Sequence, residues 1–232
     1  MSRLRPILTF APLAFLTGVA GCQRGGGERS VQTMVEEQLE PRDIHDPRVL
    51  AAMARIPRER FVPKALRARA YDDGPLPIGE GQTISQPYIV AAMCELLALD
   101  GSEHVLDVGT GSGYAAAVLD ELAGSVVSIE LLPELAERAQ STLAATGHRR
   151  IEVRAGDGRL GVPDRAPFDA IAVAAATAAV PPPLLEQLAT GGRLVAPLGR
   201  SGGQQLVRLR KTEQGVEETR SVACRFVPLV RG

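Results

Sequence analysis

The apolar positions of this chain change their period part-way along it. From Val31 to Leu39 they fall at Val31, Met34, Val35 and Leu39, a weak helical period. Asp46-Pro47 then predicts a second helix: the aspartate caps it, the proline suits the first turn, and Val49, Leu50 and Met53 follow on one face. Ile56-Pro57 stops it, and residues 57–62 predict one more short helical turn before Pro63. Gly, Pro and Asp crowd between Tyr71 and Tyr88, which predicts a long ordered loop, irregular or carrying a short hairpin. Loops of that length within a domain are usually functional. Ser85 and Pro87 mark the start of another helix, with Ile89, Val90, Met93, Leu96 and Leu97 on its apolar face and Asp100-Gly101 as its stop. From residue 104 short apolar runs alternate with helical periods. Strands are expected at 104–108, 125–130, 151–154, 168–174 and 192–197, and helices at 114–123, 133–146 and 183–188. Two alternating stretches, 204–211 and 217–228, are split by Glu213-Gln214-Gly215 and predict an antiparallel hairpin. Strand–helix alternation gives a doubly wound, mostly parallel α/β sheet with right-handed crossovers, here behind an N-terminal helical extension.

The expected first strand runs into Asp107-Val108-Gly109-Thr110-Gly111-Ser112-Gly113. Glycines there let the backbone turn tightly and pass close to a ligand. Dinucleotide folds space them G-x-G-x-x-G and seat a pyrophosphate on the helix N-terminus. Here the spacing is G-x-G-x-G behind an acid, and Asp107 would repel a pyrophosphate but suit a cation such as a sulfonium. Glu130 ends the next strand, about 20 residues past the glycines, where an acid accepts hydrogen bonds from ribose hydroxyls. Gly156-Asp157-Gly158 follows the third strand, placed to read an adenine amino group and ring nitrogen. All three lie at strand C-termini, the ligand-binding edge of open α/β sheets. Each acid alone is most often a cap or surface residue. Together with the C-terminal hairpin they predict the Rossmann-like class I methyltransferase form of the sheet, with S-adenosylmethionine bound at Asp107, Gly109, Thr110, Gly111, Gly113, Glu130, Asp157 and Gly158.

The acceptor is read from a different stretch. Leu76-Pro77-Ile78-Gly79-Glu80-Gly81-Gln82-Thr83-Ile84-Ser85-Gln86-Pro87-Tyr88 resembles the signature loop of the protein-L-isoaspartate O-methyltransferases. So do Ile56-Pro57-Arg58-Glu59-Arg60-Phe61-Val62-Pro63, Ala166-Pro167-Phe168-Asp169-Ala170-Ile171, the Leu184–Leu188 segment, Gly191-Gly192-Arg193-Leu194 and the closing Arg225-Phe226-Val227-Pro228-Leu229-Val230. The resemblance runs from about residue 34 to 230, and the Gly-Gln-Thr-Ile-Ser-Gln-Pro run is its most specific part. It implies methyl transfer from S-adenosylmethionine to the free α-carboxylate of L-isoaspartyl residues in damaged proteins, whose ester then collapses to a succinimide. It also implies that Ser85 orients the acceptor, with Gln82, Thr83, Ile84 and Gln86 as the surrounding wall. Gln204 and Gln205 align less firmly with a substrate-side glutamine. An ionised carboxylate needs no general base, in keeping with a signature loop that has no histidine. Another reading of Ser85 is a helix cap before Pro87. The sequence departs from the family at Ala174 and Thr177, where a hydroxyl is lost and another gained.

Composition narrows the partners. The 232 residues carry 26 Lys+Arg against 27 Asp+Glu, with 3% aromatics and no Trp. A basic stripe and stacking platforms are both missing, so no nucleic-acid partner is expected. Cys22, Cys94 and Cys224 are far apart, as are His45, His104 and His148, so neither a disulfide framework nor a metal site is expected. Arg3 and Arg5 precede an apolar stretch from Ile7 to Ala20, too short to span a bilayer and shaped like a secretory signal. Val19-Ala20-Gly21-Cys22 resembles a bacterial lipobox, which implies lipidation at Cys22 and a periplasm-facing membrane anchor. The alternative is a start near Met34 and a cytoplasmic enzyme. The expected organisation is thus a signal at 1–22, a flexible tether at 23–30 and a methyltransferase domain at 31–232, divided into a helical and substrate-loop portion (31–103) and a cofactor-binding sheet (104–232). The sequence does not set the oligomeric state, for which a monomer is the expectation. Two rival functions stay open: a methyltransferase of small carboxylates or other protein side chains, and a surface lipoprotein that binds misfolded envelope proteins without turnover.

Overall fold

The computed structural model describes residues 30–199 and 203–232. The expected signal, the lipobox with Cys22 and all of the tether except Ser30 lie outside the described residues. Ser30 caps the first helical turn, its hydroxyl accepting from the Thr33 amide.

The helical extension begins with α1 (Val31–Met34), which passes into a π-turn at Val35–Leu39 and a 3-10 turn at Glu40–Arg42. In α2 (Pro47–Arg55) Asp46 caps through its side chain and Pro47 opens the first turn, as the sequence predicts. Two 3-10 segments follow, Arg58–Phe61 and Lys64–Arg69, the second of which the sequence did not announce. The Gly/Pro-rich loop contains the hairpin, β1 (Leu76–Gly79) paired antiparallel with β2 (Gln82–Ile84). Then α3 (Pro87–Leu97) stops at Ala98, a left-handed residue whose amide closes onto Cys94 and Glu95, rather than at Asp100-Gly101.

The second half is β3 (His104–Val108), α4 (Tyr114–Asp120), β4 (Ser125–Glu130), α5 (Pro133–Ala145), β5 (Glu152–Ala155), β6 (Phe168–Val173), α6 (Pro182–Glu186), β7 (Leu188–Leu198), β8 (Gln204–Thr212) and β9 (Gly215–Cys224). One sheet has the order β5-β4-β3-β6-β7-β8-β9. Pairing is parallel through β7 and antiparallel from β7 to β9. Chain order reverses between β3 and β6, which opens a crevice at their C-terminal ends.

Burial explains the continuous apolar strands. Because successive strand side chains face opposite ways, Ala170 and Ala172 join one core and Ile171 and Val173 the other. The first core also takes α2, α3, α4 and α5, while α6 contributes Leu184 to the second.

Candidate active site

The glycine turn leaves β3 and crosses the end of β4. The amides of Gly109 and Thr110 both donate to the Ile129 carbonyl, at 2.8 and 3.3 Å. Gly113, with φ +88°, starts α4, and a Cβ there would sit 3.1 Å from Leu143 Cγ on α5. It therefore serves helix packing and does not border the cavity.

Around the turn lies an open cavity of about 930 Å³, mouth included, the size of a small-molecule site. Gln82, Thr83, Ile84 and Ser85 form one side, Val108 to Ser112 the floor, and Glu130 to Leu132 with Gly158 another side. Ala174 and Ala175 border it from beyond β6, and Val227 to Val230 close it from the chain's end. The sequence reading missed that last wall. Its signals were the family-like run from Arg225 to Val230 and apolar positions that the reading put in the last strand, which in fact ends at Cys224.

Glu130 is 7% exposed. Its Oε2 accepts from the Gly111 amide at 2.8 Å and its Oε1 from the Leu132 amide at 3.1 Å. Each carboxylate oxygen has a second lone pair, so the group is fixed in place and still able to accept from a diol.

Asp107 corrects an expectation. Its carboxylate is fully buried and absent from the cavity wall. Oδ2 accepts from Ser128 Oγ at 2.7 Å, and Ser128 Oγ lies 2.6 Å from Thr110 Oγ1, which does reach the wall. Oδ1 has no partner. Burial pushes the Asp107 pKa up to about 6, against the opposing hydrogen bond from Ser128. The carboxylate thus supports the turn from beneath instead of facing the ligand. Ser128 was missed, although a serine inside the apolar run Val126-Val127-Ser128-Ile129, paired in register with Asp107, was a visible signal.

Asp157 stands just past β5: its Oδ1 caps the 3-10 turn Gly158–Leu160 through the Arg159 amide at 2.9 Å, and its Oδ2 accepts from the Gly232 amide at 3.4 Å. Gly158 is on the wall, and a Cβ there would fall 2.6 Å from Val108 Cγ1.

Ser85 lies on the wall, half-buried, and its hydroxyl makes no hydrogen bond among the described residues. The N-cap of α3 is Gln86, without a side-chain cap bond, so Ser85 is not a cap. Its carbonyl accepts from Arg58 Nη2 at 2.6 Å. Gln86 turns away from the cavity, Nε2 donating to Asp73 Oδ1 at 2.7 Å. Gln204 also lies elsewhere: its amide pairs with the Phe226 backbone, accepting from the Phe226 amide at 2.7 Å. It tethers the segment that becomes the closing wall. Gln205 pairs with Leu198 and Ala223 inside the sheet. Ala174 is on the wall, whereas Thr177 bonds the Ala179 carbonyl beside a neighbouring hollow. Among the described residues no three His, Cys, Asp or Glu converge as metal ligands. Cys94 is a free thiol buried in the core.

The family model of protein-L-isoaspartate(D-aspartate) O-methyltransferase matches residues 29–232. The chain belongs to that family. A protein-L-isoaspartate O-methyltransferase 2 of Anaeromyxobacter sp. (strain Fw109-5) is 53% identical over 237 residues, covering 99% of this chain and 98% of the relative. One of Marinobacter nauticus is 57% identical over 201 residues, covering 86% and 92%. Among solved structures, a protein-L-isoaspartate O-methyltransferase superposes with TM-score 0.71 at 30% identity, over 80% of this chain and 61% of that one. A Plasmodium falciparum protein described as a putative protein-L-isoaspartate O-methyltransferase, in complex with S-adenosyl-L-homocysteine, shares the fold with TM-score 0.74 at 23% identity, over 88% and 100%. The enzyme is accordingly a methyltransferase of the protein-L-isoaspartate class, and its methyl donor is S-adenosylmethionine. Its cavity fits that donor: the Gly158 cradle has no room for a Cβ, Glu130 is held ready to accept from hydroxyls, and Val108, Ile129 and Leu131 offer apolar surface to a base.

Proposed function

We propose that this enzyme esterifies the free α-carboxylate of L-isoaspartyl residues in damaged proteins and so starts their repair. The observation that carries the reading is the Ser85 hydroxyl, unengaged within the described residues and bordering the same cavity as Glu130 and the glycine turn. S-adenosylmethionine, when bound, supplies an electrophilic methyl group on a sulfonium. Glu130 holds the ribose and Gly158 lets the adenine approach the backbone. Ser85 donates to one oxygen of the acceptor carboxylate, which leaves the other free to attack. A new O–C bond forms as the C–S bond breaks, and the sulfur takes its electron pair as a neutral thioether. The carboxylate is already ionised at neutral pH, so no side chain has to remove a proton. Rate comes chiefly from alignment of the reacting groups. The ester then leaves the enzyme. The neighbouring backbone nitrogen attacks its carbonyl, methanol departs, and the succinimide hydrolyses in part to normal aspartate.

Transfer of labelled methyl to an isoaspartyl peptide, with the aspartyl twin as control, tests this. The isoaspartyl peptide alone should gain label. Equal labelling of both, or of neither, overturns the reading. The intact Glu130 site speaks against a binding protein without turnover.

Lipidation at Cys22 is proposed for location. What supports it is the Val19-Ala20-Gly21-Cys22 run behind a short apolar stretch. Mass spectrometry of the native N-terminus separates lipidated Cys22 from a start near Met34.

A further inference from the structure

Arg58 is fully buried, yet forms no ion pair among the described residues. Its Nε donates to the Ala70 carbonyl at 2.7 Å and its Nη2 to the Ser85 carbonyl at 2.6 Å. The guanidinium carbon lies 4.6 Å from the centre of the Tyr114 ring. Nη1 has no hydrogen-bond partner among the described residues. Burial pulls its pKa below the ordinary arginine value, but a guanidinium keeps its proton at neutral pH. A lone buried charge is costly, and buried charges are ordinarily paired. Two neutral carbonyls and an aromatic face meet only part of that cost.

The surroundings say where the missing anion belongs. Ser85 and Tyr114, two of the groups that touch the guanidinium, both line the cavity. The charge therefore stands one side chain behind the wall, at the end where the acceptor is held.

We propose that Arg58 is a positioning residue for the acceptor: it fixes Ser85 by that residue's carbonyl, and its unpaired charge is answered by the carboxylate that Ser85 holds. This rests on the isoaspartyl reading of the cavity. The two parts of the role call for different properties. Attraction across a dry wall needs only a positive charge. Gripping Ala70 and Ser85 together needs the planar fork that a lysine lacks.

Steady-state methyl transfer with the full chain separates them. Arg58→Met should raise the peptide KM about tenfold or more, the scale of a lost charge-assisted contact, and leave the KM for S-adenosylmethionine within about twofold. Arg58→Lys should bring the peptide KM back to within about threefold of wild type while kcat stays about fivefold low, because the fork is gone. An unchanged peptide KM in Arg58→Met, or an equal rise in both KM values, overturns the assignment, the second outcome marking a merely structural residue. A measurement on the wild-type chain covers the case in which these variants do not fold. With S-adenosylhomocysteine bound, calorimetry should give the isoaspartyl peptide about tenfold tighter binding than its α-carboxamide twin. Equal affinity, in a chain that does methylate the peptide, overturns the role of Arg58 alone. A chain that methylates neither isoaspartyl nor aspartyl peptide overturns the reading beneath it.

Discussion

Ser85 borders the cavity and Asp107 is buried beneath its glycine turn, and their variants should fail differently. Ser85→Ala removes a donor to the acceptor oxygen and nothing that holds the nucleotide. Its kcat should fall about 100-fold, the scale of losing one aligned donor, while S-adenosylhomocysteine binding by calorimetry stays within about twofold of wild type. Wild-type turnover would refute the assigned role. For Asp107 the sign follows from linkage. Its pKa rises from about 4 in the unfolded chain to about 6 in the fold. The native state therefore binds the proton more tightly, and this stabilisation is complete below pH ~4 and lost as pH climbs through 6. At neutral pH the ionised group costs roughly 3 kcal/mol. Asp107→Asn can still accept from Ser128 and carries no charge. Its stability relative to wild type should grow by about that amount between pH 4 and pH 7.5 in denaturant unfolding, and a difference independent of pH would contradict the account. Glu130 was legible because a strand end fixes both its position and its neighbours. Asp107 was legible as a partner of the turn but not in its direction, since strand alternation gives the face of a sheet and says nothing of what covers that face.

Elements were readable where one period dominates and blurred where glycines have two meanings. The parallel strands and α5 follow their apolar runs. Gly191-Gly192, by contrast, suggested the end of a loop, yet β7 begins at Leu188, and the register shifts between Phe168 and Ala170 where the two strands pair. The glycines lie inside an irregular strand. Gly79, Glu80 and Gly81 all have positive φ, at 94°, 53° and 69°, so the hairpin turn was written in its glycines even though the strands on either side are too short to show alternation. Gly113 carries a demand of its own, a left-handed backbone beside Leu143. Gly113→Ala should cost about 1–2 kcal/mol, from backbone strain and crowding together, and lower the melting temperature. A melting curve that matches wild type would show that α4 and α5 separate more easily than this packing implies.

Across the whole molecule, the switch between β3 and β6 and the antiparallel end of the sheet could be inferred from element order alone. The closing of the cavity could not. The amide of Ala176 donates to Val227 and that of Leu229 to Ala176, so residues from the far end of the chain lie over the donor site. Contacts between such distant stretches leave no local period to read. Gln204 holds the start of that segment through Phe226. Gln204→Leu removes two neutral hydrogen bonds, worth about 1 kcal/mol each. It should weaken S-adenosylhomocysteine binding about tenfold, chiefly by faster release. Unchanged release in stopped-flow would mean that the segment stays in place without its tether.

The two outer strands have a consequence of another kind. Among the described residues β9 and β5 each leave one row of amides and carbonyls without a neighbouring strand, and such rows invite another polypeptide to add itself. A methyltransferase of the protein-L-isoaspartate class meets other polypeptides as a matter of course. Both margins carry charges of mixed sign: Glu217, Glu218 and Arg220 on β9, and Glu152 with Arg154 on β5, joined there by Arg165. Ionic side chains along these margins disfavour unselective strand addition, so both rims are guarded by charge.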